Sequence, residues 1–345
     1  MHLIARTTPQ TPAAVMRAVI RGAAIALAVL PVLPVLPVLL AAPAAAQAWP
    51  AKPIRMIVPY TPGGYTDTMA RGVGEPLARA LGTTMMYDNK PGANSILGVD
   101  ILAKSAPDGY TLATVIAAHS ANATLYPKLP FDVMKDFVPV SVTSLSPLIL
   151  IVNNDFPAKT VAEFLAYARA NPGKINFGSS GTGAAAHLTM EYLQTLTGTK
   201  MQHIPYKGTA PLLTDLIGGQ IGTAFDAASL MMPHVKGGKI RALATTAEKR
   251  VAGALDVPTM IEGGVPGFVS GTWSMVLAPA GTPPDIVQRL SSEIAKITRS
   301  PAFRERFEPQ GIIPVGNTPD EAAAFLKAEV AKWGKVIRDA NVKVE

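Results

Sequence analysis

Residues 59–67 read Pro59-Tyr60-Thr61-Pro62-Gly63-Gly64-Tyr65-Thr66-Asp67, and they follow the apolar run Ile54–Val58. This order predicts a strand, a glycine turn and a helix that has Asp67 in its first turn. Such a turn presents unpaired backbone N–H groups at the positive end of a helix dipole, where an anion binds without Lys or Arg. The hydroxyl of Thr66 would add a further donor.

A second stretch repeats this arrangement about halfway along the chain. Gly178-Ser179-Ser180-Gly181-Thr182-Gly183 follows the short apolar run Ile175–Phe177 and precedes a predicted helix over Ala184–Leu196. One such turn by itself is commonly an ordinary strand–helix loop with N-cap residues. Two of them, each carrying glycines and hydroxyls, favour two α/β lobes that hold one small carboxylate between them.

The first 48 residues are predicted to be a cleavable signal peptide. Three arginines and no acidic residue precede the apolar stretch 22–40, and residues 41–48 are small, with cleavage expected after Ala46 or Ala48. The alternative is a membrane anchor, but three prolines interrupt the apolar stretch and would break a spanning helix. We therefore expect a periplasmic protein.

Composition excludes several classes of function. The chain of 345 residues contains no cysteine, which excludes disulfides, thiol catalysis and Cys-based zinc sites. A net charge of +7 with scattered basic residues does not predict nucleic-acid binding. The histidines show no metal-binding spacing, and we expect no cofactor.

Alternation of strand-like and helix-like segments predicts an α/β fold with parallel sheets covered by helices. The apolar runs Leu148–Asn153 and Ser274–Pro279 are interpreted as two crossings between lobes. Lobe 1 then comprises residues 49–150 and 275–345, and lobe 2 comprises residues 151–274. Ligands of open α/β sheets bind beyond the carboxyl ends of the strands, where both glycine turns lie.

Enzymes that use the same cleft are the alternative of a different class. A lipase-type G-x-S-x-G motif around Ser180 fails because residue 182 is Thr. The sequence Gly181–Ala186 fits the dinucleotide pattern G-x-G-x-x-A, but no acidic residue follows at the tip of the next strand. An esterase or a nucleotide-dependent oxidoreductase is thus the runner-up to a binding protein.

Ordered motifs along almost the whole chain after residue 48 resemble the periplasmic receptors of tripartite tricarboxylate transporters, often called Bug-type receptors. These motifs include Trp49-Pro50-Ala51-Lys52-Pro53, the first turn, Asn89-Lys90-Pro91-Gly92-Ala93, Pro107-Asp108-Gly109-Tyr110, the second turn with His187-Leu188, Pro205-Tyr206-Lys207-Gly208, Phe225-Asp226 and Leu277-Ala278-Pro279-Ala280-Gly281. The resemblance implies a two-lobed Venus-flytrap fold of the type II periplasmic-binding-protein class, with two mostly parallel sheets joined by two crossing strands. It also implies a monomeric, non-catalytic receptor that passes a small carboxylate to a membrane permease.

Carried over by matching motif, the resemblance implies a pocket lined by residues of both turns and of three later segments. These residues are Tyr60, Pro62, Gly63, Gly64, Tyr65, Thr66, Asp67, His119, Ser120, Ser179, Ser180, Gly181, Thr182, Tyr206, Lys207 and Asp226. Tyr65 stands where many relatives have a small residue, so it would add an aromatic wall that favours flat or apolar ligand bodies.

The roles of four residues have two interpretations. Asp226 either lines the pocket, where it would repel a second carboxylate, or caps a loop. His187 either contacts the ligand or packs and caps the second helix. Lys207 either binds the anion or extends into solvent. Trp273 either packs the hinge or acts as a lid.

Overall fold

The computed structural model describes residues 49–250 and 257–344, so the predicted signal peptide lies outside the described residues. The strands are β1 (Ile54–Val58), β2 (Met85–Asn89), β3 (Thr111–Ile116), β4 (Phe137–Ser146), β5 (Leu148–Val152), β6 (Asn176–Ser179), β7 (Gln202–Pro205), β8 (Thr223–Ala227), β9 (Arg241–Thr245), β10 (Thr272–Pro279) and β11 (Ile313–Pro314).

Helices alternate with these strands along most of the chain, as the sequence predicts. They are α1 (Tyr65–Leu81), α2 (Ile96–Ala103), α3 (Ala118–Leu125), α4 (Val161–Ala170), α5 (Ala185–Thr197), α6 (Thr209–Ile217), α7 (Ala228–Lys236), α8 (Pro284–Arg299), α9 (Pro301–Phe307) and α10 (Pro319–Asp339). Helices α3, α7 and α9 were not predicted.

Local capping explains where the last helix begins. Thr318 Oγ1 accepts a hydrogen bond from the Glu321 backbone N–H at 3.3 Å, and the Glu321 carboxylate accepts one from the Thr318 N–H at 2.8 Å. This reciprocal pair is a capping box, and Pro319 occupies the first turn, where its missing N–H costs nothing.

Two separate sheets divide residues 47–345, which form one compact unit. The first sheet has the strand order β11-β4-β10-β3-β1-β2, and the second has the order β7-β6-β8-β5-β9. Apolar side chains cover both faces of each sheet: α1 and α8 lie on one face of the first sheet, and α2 and α10 lie on the other. The α/β class is confirmed.

Strand direction differs from the prediction. β1 pairs in parallel with β2 and β3, but β10 runs antiparallel to β3 and β4, and β5 runs antiparallel to β8 and β9. Both sheets are therefore mixed rather than mostly parallel. The two strands that directly follow a crossing, β5 and β10, run antiparallel to their neighbours, and the short strand β11 also pairs antiparallel with β4.

The crossings lie a few residues away from the predicted positions. β5 belongs wholly to the second sheet and β10 wholly to the first, so the chain changes sheets at Pro147 and at Gly271. Residues 148–150 therefore lie in the second sheet, not in the first as predicted. An apolar strand run marks the strand itself, while the change of sheet occurs in the short link before it.

Thr246 ties the two crossings together. Its hydroxyl donates to the Ser270 carbonyl at 2.6 Å and accepts from the Leu148 N–H at 2.8 Å. Gly271 packs so closely that an added Cβ would lie 2.8 Å from the Ser146 carbonyl oxygen. The hinge is therefore one hydrogen-bonded, closely packed unit rather than two independent strands.

A third connection joins the lobes beside the hinge. Leu188 on α5 of the second lobe is 2% exposed and belongs to an apolar cluster with Leu125 on α3 and Trp333 on α10, both in the first lobe. The C-terminal helix therefore packs on both lobes.

Truncating Leu188 should weaken this connection. We expect Leu188→Ala to lower the free energy of unfolding by about 2–5 kcal/mol, because it leaves a cavity between the lobes. The matched control is Leu196→Ala on the same helix, where the side chain is 48% exposed, and its effect should stay within about 0.5 kcal/mol. Urea unfolding measures both variants, and equal losses would contradict the proposed contact.

Candidate functional site

Asp67 holds the first turn in shape. Its carboxylate accepts hydrogen bonds from the Gly63 N–H, the Arg71 side chain and the Asn89 amide, each at 3.0 Å. Burial works to raise the pKa of Asp67, but these donors outweigh it and hold the pKa below its usual range. Asp67 is thus an ionised brace inside the turn, and its oxygens are occupied within the fold.

Backbone donors remain at this turn. Gly63 takes the left-handed φ of +82°, while Gly64 is extended, with φ −78° and ψ 177°. The first intrahelical bond runs from the Thr68 N–H to the Gly64 carbonyl, and no side chain caps the helix. The N–H groups of Tyr65, Thr66 and Asp67 therefore lie ahead of that bond and face the end of β1, as an anion site requires.

Internal hydrogen bonds also hold the second turn in shape. The Ser179 hydroxyl lies 2.9 Å from the Gly181 carbonyl and 2.6 Å from the His203 ring, so it is committed to the fold. Gly181 and Gly183 have φ values of +147° and +77°, which only glycine adopts easily. Ser180 and Thr182 are partly exposed, and within the described residues their N–H groups donate no hydrogen bond.

A loop that the sequence analysis treated only as a turn meets this second turn. Ala93, Asn94 and Ser95 are three successive non-glycine residues with positive φ, at 46°, 50° and 77°. The Asn94 amide donates to Asn122 at 2.7 Å. A Cβ added to Gly183 would lie 3.9 Å from that amide nitrogen, so the loop reaches the second lobe. The sequence Asn89-Lys90-Pro91-Gly92-Ala93-Asn94 indicates a turn, but the three successive positive φ values are visible only in the structure.

Tyr60 borders the same loop. Its hydroxyl and the Ser95 hydroxyl are both buried without a hydrogen-bond partner in the described residues. Burial raises the pKa of the Tyr60 phenol, so it remains a neutral donor. These two buried hydroxyls lie beside each other between the first turn and the Ala93–Ser95 loop, where they provide polar capacity at the predicted site.

Tyr65 and Tyr206 direct their hydroxyls elsewhere. Tyr65 pairs with Ser144 of β4 at 3.0 Å, and its ring packs on the first-lobe core. Tyr206 donates to Asp215 of α6 at 2.8 Å. These bonds anchor the rings, so the structure gives both hydroxyls internal roles and leaves only ring faces for a ligand. Lys207 is exposed, in agreement with the solvent interpretation.

His119 and Ser120 were expected to border the cleft, and their side chains do not. The His119 ring is fully buried against Phe131 and Phe137, and both ring nitrogens lack partners in the described residues. Burial lowers the pKa of His119 to about 3, which keeps the ring neutral. The Ser120 hydroxyl donates to the Ala117 carbonyl at 2.7 Å. Both positions open a helix that the sequence analysis did not predict.

Asp226 caps a loop. One carboxylate oxygen accepts from the Thr209 hydroxyl at 2.9 Å and the other from the Ala227 N–H at 2.7 Å, and the residue is 6% exposed. Burial raises the pKa of Asp226 to about 6, although these two hydrogen bonds oppose the rise. The carboxylate ties the end of β8 to the start of α6, which is the loop-capping interpretation.

A cavity of about 600 Å³ lies beside the hinge and contains none of the predicted site residues. Trp273, Phe325 and Glu329 line it, and the Trp273 indole donates to Glu329 at 2.8 Å. Trp273 is buried, so it packs the hinge and is not a lid. This cavity is therefore separate from the two glycine turns.

The structure describes residues 49–250 and 257–344. No group of His, Asp or Glu there could hold a metal ion. No helix in those ranges is both long and apolar enough to span a bilayer.

Comparison with known proteins places the fold in a family. The profile of TctC, the tripartite tricarboxylate transporter family receptor, matches residues 69–342. Protein BugT of Bordetella pertussis is 38% identical over 299 residues, which cover 86% of this chain and 92% of BugT.

Solved structures agree with this assignment. Rpa4515 of R. palustris with adipate aligns with a TM-score of 0.77 and 34% identity, covering 86% of this chain and 99% of Rpa4515. MatC of Rhodopseudomonas palustris with bound malate aligns with a TM-score of 0.73 and 31% identity, covering 84% of this chain and 99% of MatC. The fold is thus the two-lobed fold of periplasmic binding proteins, and the chain belongs to the Bug-type receptor family of tripartite tricarboxylate transporters.

Proposed function

We propose that this protein captures a small organic carboxylate between its lobes and delivers it to the permease of a tripartite tricarboxylate-type transporter. One observation carries the proposal: two strand–turn–helix junctions, one from each lobe, offer unpaired backbone N–H groups while their own side chains brace the turns. Such donors suit a carboxylate and need no cationic residue. Similarity to a receptor structure with adipate and to one with malate supports the same ligand class.

We also propose that residues 1–48 form a cleavable signal peptide and that the mature receptor acts in the periplasm as a monomer. Its family consists of periplasmic receptors, which supports this location. Amino-terminal sequencing of the exported protein and light scattering of the purified protein test the two statements.

Ligand capture without turnover is tested by thermal shift. The panel contains adipate, malate, glutamate, benzoate and citrate, together with NADH and an ester substrate for the enzyme alternative. A receptor gains melting temperature with its ligand by mass action. A shift with at least one carboxylate, no shift with NADH and no ester hydrolysis are expected. Turnover of the ester, or stabilisation by NADH alone, would overturn the proposal.

Ligand class follows from the placement of Asp226. Because its carboxylate is committed to Thr209 and Ala227, it does not present a free charge that would repel a second carboxylate. The ring faces of Tyr60 and Tyr206 suit an apolar body between the charged ends. We therefore propose a dicarboxylate or an aromatic acid as the ligand class.

Replacing Gly64 should block the approach of the carboxylate. Gly64 has an ordinary extended backbone, and an added Cβ would meet only the Thr61 carbonyl at 3.8 Å, so valine fits the fold. The branched side chain would cover the N–H groups that follow it. We expect Gly64→Val to weaken carboxylate binding by about tenfold or more in calorimetry, with little change in melting temperature.

A matched control is Gly82→Ala at the other end of α1. Gly82 has φ +67° and open space around it, so alanine there should lower the melting temperature and leave the dissociation constant unchanged. Wild-type affinity in Gly64→Val would show that the first turn does not hold the carboxylate.

The variant Asp226→Asn distinguishes a carboxylate that caps a loop from one that lines the binding pocket. The folded state holds its proton to about pH 6, whereas an unfolded Asp releases it near pH 4. The wild type therefore loses relative stability as the pH rises from about 4 to about 6, and the uncharged variant avoids this loss. We expect the stability difference, variant minus wild type, to increase over that window and then stay constant.

Urea unfolding at several pH values measures this difference, and Asp155→Asn at an exposed position of the same lobe is the control. Affinities of Asp226→Asn for the carboxylate panel should keep the wild-type order. A selective gain for dianions would instead place the Asp226 charge in the binding site.

A further inference from the structure

Two histidines from different elements stack directly behind the second turn. His187 of α5 and His203 of β7 have ring centroids 3.6 Å apart and planes inclined by only 9°. Phe177 of β6 extends the stack, 5.0 Å from His203 and 6.1 Å from His187. Each histidine also contacts the turn, His203 through Ser179 and His187 through Gly183.

The Ser179 hydroxyl fixes the tautomer of His203. This oxygen lies 2.9 Å from the Gly181 carbonyl, 3.3 Å from the Gly181 N–H and 2.6 Å from His203 Nε2. A carbonyl only accepts, so the single hydroxyl hydrogen goes to it. His203 must then donate from Nε2–H, and the hydroxyl oxygen accepts from both N–H groups.

The Gly183 backbone fixes the tautomer of His187. The Gly183 N–H donates to His187 Nδ1 at 3.0 Å, so that nitrogen must be unprotonated. The other nitrogen, Nε2, carries the hydrogen and faces the Glu191 carboxylate at 3.5 Å. Protonation of Nδ1 would place two donors against each other and break the contact with the turn.

We propose that His187 and His203 form a neutral stacked pair of positioning residues that sets the second turn for carboxylate binding. The inference rests on the proposed function and names the groups that control its second anion-binding turn. His203 donates to the Ser179 hydroxyl and so fixes its contact with Gly181, and His187 accepts the hydrogen bond of the Gly183 N–H. The N–H groups of Ser180 and Thr182 are thereby left pointing away from internal acceptors and available to the anion.

The surroundings keep His203 neutral. Two protonated rings at this stacking distance would repel each other. Burial, with a contribution from His187, lowers the pKa of His203 to about 3. Glu191 is the acidic group that α5 directs at the pair, β6 contributes the non-titrating Phe177 and Ser179, and Asp226 of β8 is bound to Thr209 and Ala227.

A consequence for pH follows from the direction of the shift. An exposed histidine titrates near pH 6.5, whereas His203 remains uncharged well below that value. The turn should therefore keep its geometry from about pH 5 to about pH 8. We expect the affinity of the wild type for adipate or malate to show no inflection near pH 6.5, where an exposed histidine would titrate.

Matched variants test the positioning role. His203→Gln keeps an amide donor near the position of Nε2–H, and His203→Met keeps only the volume; His187→Asn keeps an acceptor near Nδ1, and His187→Leu removes it. With adipate and malate as probes, the Met and Leu variants should bind about tenfold more weakly. The Gln and Asn variants should stay within about threefold of wild type. Equal weakening of all four variants, or wild-type affinity in the Met and Leu variants, would overturn the inference.

A second measurement does not depend on ligand binding or on the folding of any variant. Long-range nitrogen–proton NMR of the wild type should show His203 as a neutral Nε2–H tautomer from about pH 5 to about pH 8, and His187 with its hydrogen on Nε2 and none on Nδ1 at about pH 8. An Nδ1–H tautomer of either ring, or protonation of His203 in this range, would refute the pair. Failure of every carboxylate to bind the wild type would refute the proposed function instead, and the NMR result would still decide the inference.

Discussion

The close approach of the two crossings at Thr246 and Gly271 is the constraint on which the two-lobed arrangement depends. One hydroxyl connects the outgoing and returning chain, and Gly271 leaves no room for a side chain against Ser146. Because the crossings are fixed together, the two lobes share one hinge. In the proposed function, the two glycine turns are parts of one site although they lie far apart in the sequence.

Around these turns, charged and hydroxyl side chains are used for bracing. Asp67, Ser179 and Asp226 each accept or donate two or more hydrogen bonds within the fold. Polar side chains that are already satisfied do not reorganise when a ligand arrives, so the backbone donors they position are preorganised. The strained Ala93–Ser95 loop adds a third wall, where two buried hydroxyls still lack partners.

The sequence predicted the features that depend on local chemistry. The glycine turns, the Thr318–Glu321 capping box and the strand–helix alternation all follow from neighbouring residues. The sequence did not predict the strand directions or the exact crossings. Apolar periodicity carries no information about strand direction, and the chain changes sheets in short links that lack a pattern of their own. The roles of Asp226 and Tyr206 were also hidden, since their partners Thr209 and Asp215 are recognised only once α6 is in place. Likewise, the sequence does not predict that His187 and His203 stack, because their contact joins a helix to a strand.

Recognition through main-chain N–H groups has a consequence for how such receptors diversify. A coding change replaces a side chain and leaves the amide of the same residue intact, unless the new residue is proline. The anchor for one carboxylate is therefore largely protected from mutation. The walls around it, such as Tyr60, Tyr65 and the Ala93–Ser95 loop, are free to change size and polarity. Sequences that differ at roughly two thirds of their positions, as this chain and BugT do at 38% identity, can thus retain one anchor while selecting different molecules at its far end.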